Sequence, residues 1–149
     1  MDNNEILSRL STIFALTDER LAELFALGGE ELTAADALAR TLGVDCIGAQ
    51  DCSAVQLGRF LDGLIIDNRG PSERSGPPRR EPTLTNNAIL KKLRIAMILK
   101  EADMLAIFDR GGLPMTRQSL SPLFRKADNK HYRSCTDRML KCFLIGLEA

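Results

Sequence analysis

"NNAILKKLRIAMILK", residues 86–100, restates a phrase from the start of the chain, "NNEILSRLSTIFALT", residues 3–17. Sliding the chain on itself by 83 positions lays residues 3–66 over 86–149 without a gap and gives 17 identities in 64 positions. They include Asn3/Asn86, Asn4/Asn87, Ile6/Ile89, Leu7/Leu90, Leu10/Leu93, Phe25/Phe108, Gly28/Gly111, Gly29/Gly112 and Thr33/Thr116. Further on come Cys52/Cys135, Leu57/Leu140, Phe60/Phe143, Gly63/Gly146 and Leu64/Leu147. The apolar and glycine spacing is kept while the charges change, as packing restricts buried positions and surface positions drift. One fold is used twice.

The fold class follows from the spacing inside each copy. Ile6, Leu7, Leu10, Ile13 and Phe14, like Ile89, Leu90, Leu93 and Met97, recur at helical intervals. The paired asparagines are good N-cap residues, so each "NN" reads as a helix start. A second helix covers "DERLAELFAL" and "EADMLAIFD" and stops at the glycine pairs. Those pairs lack the Lys-Ser/Thr that follows a phosphate-binding loop. Thr33, with Asp36 three residues on, resembles a capping box and opens a third helix, as Thr116 does in the second copy. Pro122 must kink that helix or sit in the first turn of a shorter one. The fourth helix starts at Ser53 or Thr136. Gly63 and Gly146 fall inside it, which predicts a neighbouring helix crossing closely there, since glycine within a helix costs about 1 kcal/mol against alanine. Phe25/Phe108, Phe60/Phe143 and Leu64/Leu147 are expected at matching core positions. The expectation is an all-α protein, a tandem duplication of a roughly four-helix unit.

The block from Asn86 to Leu147, with its glycine pair, "FRKADNKHYRSC" and closing "FLIGL", resembles the bacterial YehS-like family, a domain of unknown function that usually occurs as two copies. The resemblance covers nearly the whole chain and implies a small, helical, cytoplasmic bacterial protein. It transfers no catalytic residue. The first copy departs from the pattern where "GVDCIGAQDC" replaces the basic "RKADNKHYRSC".

Residues 1–70 and 86–149 are thus expected as the two repeats, with residues 71–85 as a linker. "RGPSERSGPPRREPTLT" holds four of the six prolines, and a flexible stretch of that length spans roughly 20–24 Å. A lone copy of this size buries only about 60% of its surface, so the copies are expected to pack together. No apolar run approaches the length of a membrane span, and the N-terminal Asp-Asn-Asn-Glu does not resemble a signal peptide. Four cysteines without an export signal read as reduced thiols in a cytoplasmic protein.

Zero net charge conceals a division. Residues 1–70 hold 5 Lys/Arg against 12 Asp/Glu, and residues 71–149 hold 15 against 8, giving −7 and +7. Either the two copies attract each other, or the second meets a polyanion that the first does not. The candidate binding residues are Lys91, Lys92, Arg94 and Arg117, then Arg125, Lys126, Lys130, His131, Tyr132 and Arg133, with Arg79 and Arg80 in the linker. A basic loop with an aromatic can contact phosphates and stack a base, as in many complexes with single-stranded or looped RNA. A solvated charged surface, or contact with an acidic protein, explains the same residues. Helices two and three also invite a helix-turn-helix reading, but the gap from Phe108 to Thr116 exceeds the usual turn.

Catalysis has thinner support. His131 precedes Cys135 by four, which on a helix would place thiol beside imidazole. Yet Cys135 matches Cys52, which has no histidine partner, so both read as small buried residues. Cys46, Cys52, Cys135 and Cys142 lack zinc-site spacing. The expectation is a non-enzymatic protein without metal or cofactor, binding nucleic acid or an acidic partner through its second copy. A protein–protein adaptor or homo-oligomeric module is the alternative, and a thiol-dependent enzyme at Cys135/His131 a remote one.

Overall fold

The computed structural model describes residues 1–43, 45–70 and 84–149, and among these every regular element is a helix. The chain divides into two units, Met1–Leu84 and Thr85–Ala149. Arg79, Arg80 and nearly all of the expected linker lie outside the described residues. The first unit contains α1 (Asn3–Ile13), α2 (Asp18–Leu27), α3 (Ala34–Ala39) and α4 (Ala54–Arg69). The second contains α5 (Asn86–Met97), α6 (Glu101–Arg110), α7 (Arg117–Leu120), a 3-10 helix (Ser121–Phe124) and α8 (Asp137–Glu148). The duplicated helical unit expected from the sequence is the observed fold.

Most helix starts follow local chemistry. Thr17, Thr33, Thr116 and Thr136 each accept a hydrogen bond from a backbone N–H of the first turn. Ser53 and Gln56 cap each other reciprocally, at 3.0 and 3.1 Å. The doubled asparagines are an exception to the reading above. Asp2 and Thr85 are the caps, accepting from Glu5 N at 2.7 Å and Ala88 N at 3.1 Å. The asparagines lie one step inside the helix, where their side chains are free to reach another part of the chain. Pro122 resolves as the shorter alternative: without an N–H it cannot extend α7, and the chain tightens into the 3-10 helix.

Each core is built around one aromatic pair. Phe25 and Phe60 stand with ring centroids 5.4 Å apart at 45°, and Phe108 and Phe143 at 5.2 Å and 48°. All four rings are fully buried, and such tilted pairs add roughly 0.5–1.5 kcal/mol beyond area burial. Leu64 is buried as expected, but its mate Leu147 is only half-buried.

The glycines explain how the second and last helices of each unit come so close. A Cβ on Gly63 would stand 1.8 Å from the carbonyl oxygen of Leu24, and one on Gly28 1.7 Å from that of Arg59. In the second unit Gly146 faces Ile107 O at 2.0 Å, and Gly111 faces Cys142 O at 1.8 Å. So the first glycine of each "GG" is a contact surface, and only the second, Gly29 (φ 97°) or Gly112 (φ 85°), supplies the left-handed turn. Glu30 N to Phe25 O (2.8 Å) and Leu113 N to Phe108 O (2.9 Å) close the same helix-ending motif in both units. The corresponding turn after α1 and α5 is made by Ala15 (φ 50°) and Ile98 (φ 54°), which pay the left-handed penalty that glycine avoids.

Candidate functional site

The asparagine pairs act at long range. Asn4 Nδ2 donates to Leu42 O and Gln50 O, both at 2.8 Å, while its Oδ1 accepts from Cys52 N at 2.7 Å. Asn3 adds a bond to Cys52 O at 3.1 Å. The second unit repeats the arrangement. Asn87 Nδ2 donates to Leu123 O and Arg133 O at 2.9 Å, Oδ1 accepts from Cys135 N at 2.8 Å, and Asn86 reaches Cys135 O at 3.1 Å. One side chain therefore ties both ends of the loop that precedes the last helix. The tied loop is two residues longer in the second unit, because the first acceptor is Leu123 and not the residue at the uniform offset from Leu42, Arg125. The uniform alignment thus slips locally, where the 3-10 helix replaces the end of α3.

That loop carries the basic cluster. Arg125, Lys126, Lys130, His131 and Arg133 are exposed, and Tyr132 is half-buried. His131 N is held by Asn129 Oδ1 at 2.8 Å, and Tyr132 N by Asn129 O at 2.9 Å. An open depression of about 420 Å³ lies between loop and α7, lined by Arg117, Gln118, Ser121, Pro122, Arg125 and His131. Two guanidiniums and an imidazole share it with no carboxylate in the lining. Arg117 also pairs with Glu101 at 3.2 Å, but its side chain is 78% exposed, and such pairs contribute little.

Other candidates stand elsewhere. Arg94 is half-buried over the Phe124 ring at 4.7 Å and donates to Leu99 O at 3.2 Å. Lys91 is exposed and Lys92 half-buried on α5, and neither lines the depression. Lys126, Lys130, Tyr132 and Arg133 also fall outside its lining. Gln118 and Ser121 line it but were not among the expected site residues. With four residues, α7 is too short to serve as a recognition helix.

The first unit has a depression of different sign. About 490 Å³ in volume, it is bordered by Asp2, Glu5 and Asp45 with Arg9. Its loop presents Cys46 and Ile47 to solvent where the second unit presents Asn129 and Lys130.

The segment from His131 to Thr136 is not helical, so the helical proximity behind the Cys135/His131 dyad is absent: His131 is exposed and Cys135 buried. Burial pushes the Cys52 thiol up to about 12 and the Cys135 thiol up to about 11. At pH 8 exposed Cys46 should react with a disulfide reagent about a hundredfold faster than either. Rapid labelling of Cys135 in the folded protein would contradict that placement. Both folded values lie above the ordinary 9.0, so below pH 9 the thiols add no pH dependence. Above it the unfolded chain ionises first, and stability should fall toward pH 12. Among the described residues no group of three or more His, Cys, Asp or Glu could hold a metal ion, and no helix is long and apolar enough to cross a membrane.

Both copies of the repeat match a known family. The model of the family described as "Protein of unknown function (DUF1456)" matches residues 3–70 and again 86–149. The chain belongs to this family. It is 36% identical over 149 residues to "Uncharacterized protein YehS" of Escherichia coli (strain K12), covering 100% of this chain and 96% of that protein. No solved structure matches. Family membership agrees with the two-copy architecture and with the resemblance carried by the NNxILxxL and FLxGL elements.

Proposed function

We propose that the protein is a non-enzymatic, cytoplasmic nucleic-acid-binding protein that holds RNA or single-stranded nucleic acid through its second unit. The supporting observation is the depression lined by Arg117, Arg125 and His131, whose lining holds no carboxylate although Glu101 pairs with Arg117 at its edge. Guanidinium groups match phosphate oxygens in a two-pronged geometry, and Gln118 and Ser121 add neutral donors. Lys126, Lys130 and Arg133 extend the positive surface along the same loop. Tyr132, half-buried and outside the lining, gives base stacking less support than phosphate contact.

The test is fluorescence anisotropy of a labelled, mixed-sequence single-stranded RNA with the full chain. If about four phosphates are neutralised, log affinity falls against log salt with a slope near −3, using about 0.7 per phosphate. Arg125→Glu with Lys130→Glu should lower affinity at least about tenfold and leave helicity unchanged, both side chains being exposed. Arg69→Glu, at the exposed end of α4 in the acidic unit, should change little. Absence of binding at low salt, or affinity unmoved by the double reversal, refutes this reading and favours a protein adaptor.

A further inference from the structure

The loop bearing Arg125, Lys126, Lys130 and His131 begins and ends on one side chain. Asn87 Nδ2 donates to Leu123 O, two residues before Arg125, and to Arg133 O, two residues after His131. Arg133 N donates to Pro122 O at 3.2 Å and closes the same neck from the backbone. Inside the loop, Asn129 N to Lys126 O and Tyr132 N to Asn129 O, both 2.9 Å, set a fixed course. The lining of the depression comes half from this loop's neighbourhood (Pro122, Arg125, His131) and half from α7 (Arg117, Gln118) and Ser121. Holding those halves at a set separation requires that the loop not swing away from α7.

Resting on the nucleic-acid reading above, we infer that Asn87 is the positioning residue of the phosphate site. By tying both loop ends it keeps Arg125 and His131 across the depression from Arg117, though it touches no phosphate itself. A loop ordered during folding need not be ordered at binding, and that saving appears as affinity. The first unit separates clamp from content. Asn4 makes the same three bonds, but the loop it closes, residues 42–50, is shorter and holds no Lys, Arg or His, whereas Asp45 matches Asp128 of the basic loop. The clamp is therefore common to both units, and the loop it displays sets the kind of partner. The sequence marks this only by the doubled asparagine, which resembles an ordinary cap.

The experiment compares the full-length wild type with Asn87→Ala in the anisotropy titration, with hydrogen exchange on the same samples. Asn87 is half-buried, so water can take over part of its bonding and the variant is expected to fold. Its affinity should fall about tenfold, its salt slope should become shallower by about 0.7, and amides of residues 124–132 should exchange faster. Phe143→Leu, which weakens the same unit through its core, should leave affinity and slope at wild-type values. A folded Asn87→Ala with wild-type affinity and slope overturns the inference while the nucleic-acid reading stands. So does a Phe143→Leu that loses as much affinity as Asn87→Ala. A wild type that does not bind RNA at low salt overturns the reading and this inference together. Should Asn87→Ala fail to fold, Asn87→Ser replaces it under the same criteria, its hydroxyl being too short to span both carbonyls.

Discussion

Gly63→Ala is expected to lower the unfolding free energy by about 3 kcal/mol, while Gly58→Ala in the same helix raises it by up to about 1 kcal/mol. The substitution is identical and both residues lie in α4, so intrinsic helix propensity favours alanine equally at each. The difference is what the added methyl meets. At Gly58 there is nothing within 4 Å. At Gly63 the carbonyl oxygen of Leu24 stands at 1.8 Å, and it belongs to the backbone of α2, which cannot rotate aside. To reach an ordinary contact, α2 must move away by more than 1 Å, separating Phe25 from Phe60 and loosening Leu21, Leu24 and Leu61, all buried. Gly28→Ala should act in the same direction, since it opens the other end of the same crossing against Arg59 O. Urea denaturation followed by circular dichroism measures the changes. A Gly63→Ala protein as stable as Gly58→Ala would mean that the helices cross farther apart than this geometry requires.

The sequence made that crossing legible because glycine inside a helix is locally unfavourable, and its recurrence at Gly63 and Gly146 called for a tertiary cause. The starts of most helices were legible for the opposite reason. Ser53, Thr33, Thr116 and Thr136 satisfy N–H groups three residues away, so a short window contains the interaction. The asparagine clamp spans far more chain: Asn4 bonds to Leu42, Gln50 and Cys52. Nothing local distinguishes an asparagine that caps from one placed a turn-step later that clamps, and Asp2 and Thr85 were free to cap. The candidate basic residues were legible as a charged set but not as a surface. Choice of side-chain partner took Arg94 to the Phe124 ring and gave Arg117 a pair with Glu101. Convergence of Arg117 with Arg125 and His131 depended on the 3-10 helix after Pro122, whose extent the spacing left open.

Asn4→Leu should cost the first unit about 3–5 kcal/mol, although it replaces a buried side chain with an apolar one of similar size. By volume and burial alone the change resembles an improvement, since Asn4 is only 4% exposed. Hydrogen bonding reverses the sign. Leucine leaves the buried Cys52 N–H and the Leu42 and Gln50 carbonyls without their present partner, at about 1–3 kcal/mol for each group that water cannot reach. Hydrophobic gain from the leucine recovers only part of this, because there is no larger cavity to fill. Against a domain stability of about 5–15 kcal/mol the remainder is a large fraction. Asn3→Ala removes a single bond to Cys52 O and should cost about 1 kcal/mol. Asn87→Leu should cost about 2 kcal/mol, because Asn87 is half-buried and its bond to Arg133 O lies at the surface, where water substitutes. Urea denaturation ranks the three, and faster exchange of the Cys52 amide in Asn4→Leu locates the damage. Equal losses at Asn4 and Asn87 would show that solvent access does not govern the clamp's contribution, and a loss below about 1 kcal/mol at Asn4 would show that the loop finds other donors once the amide is gone.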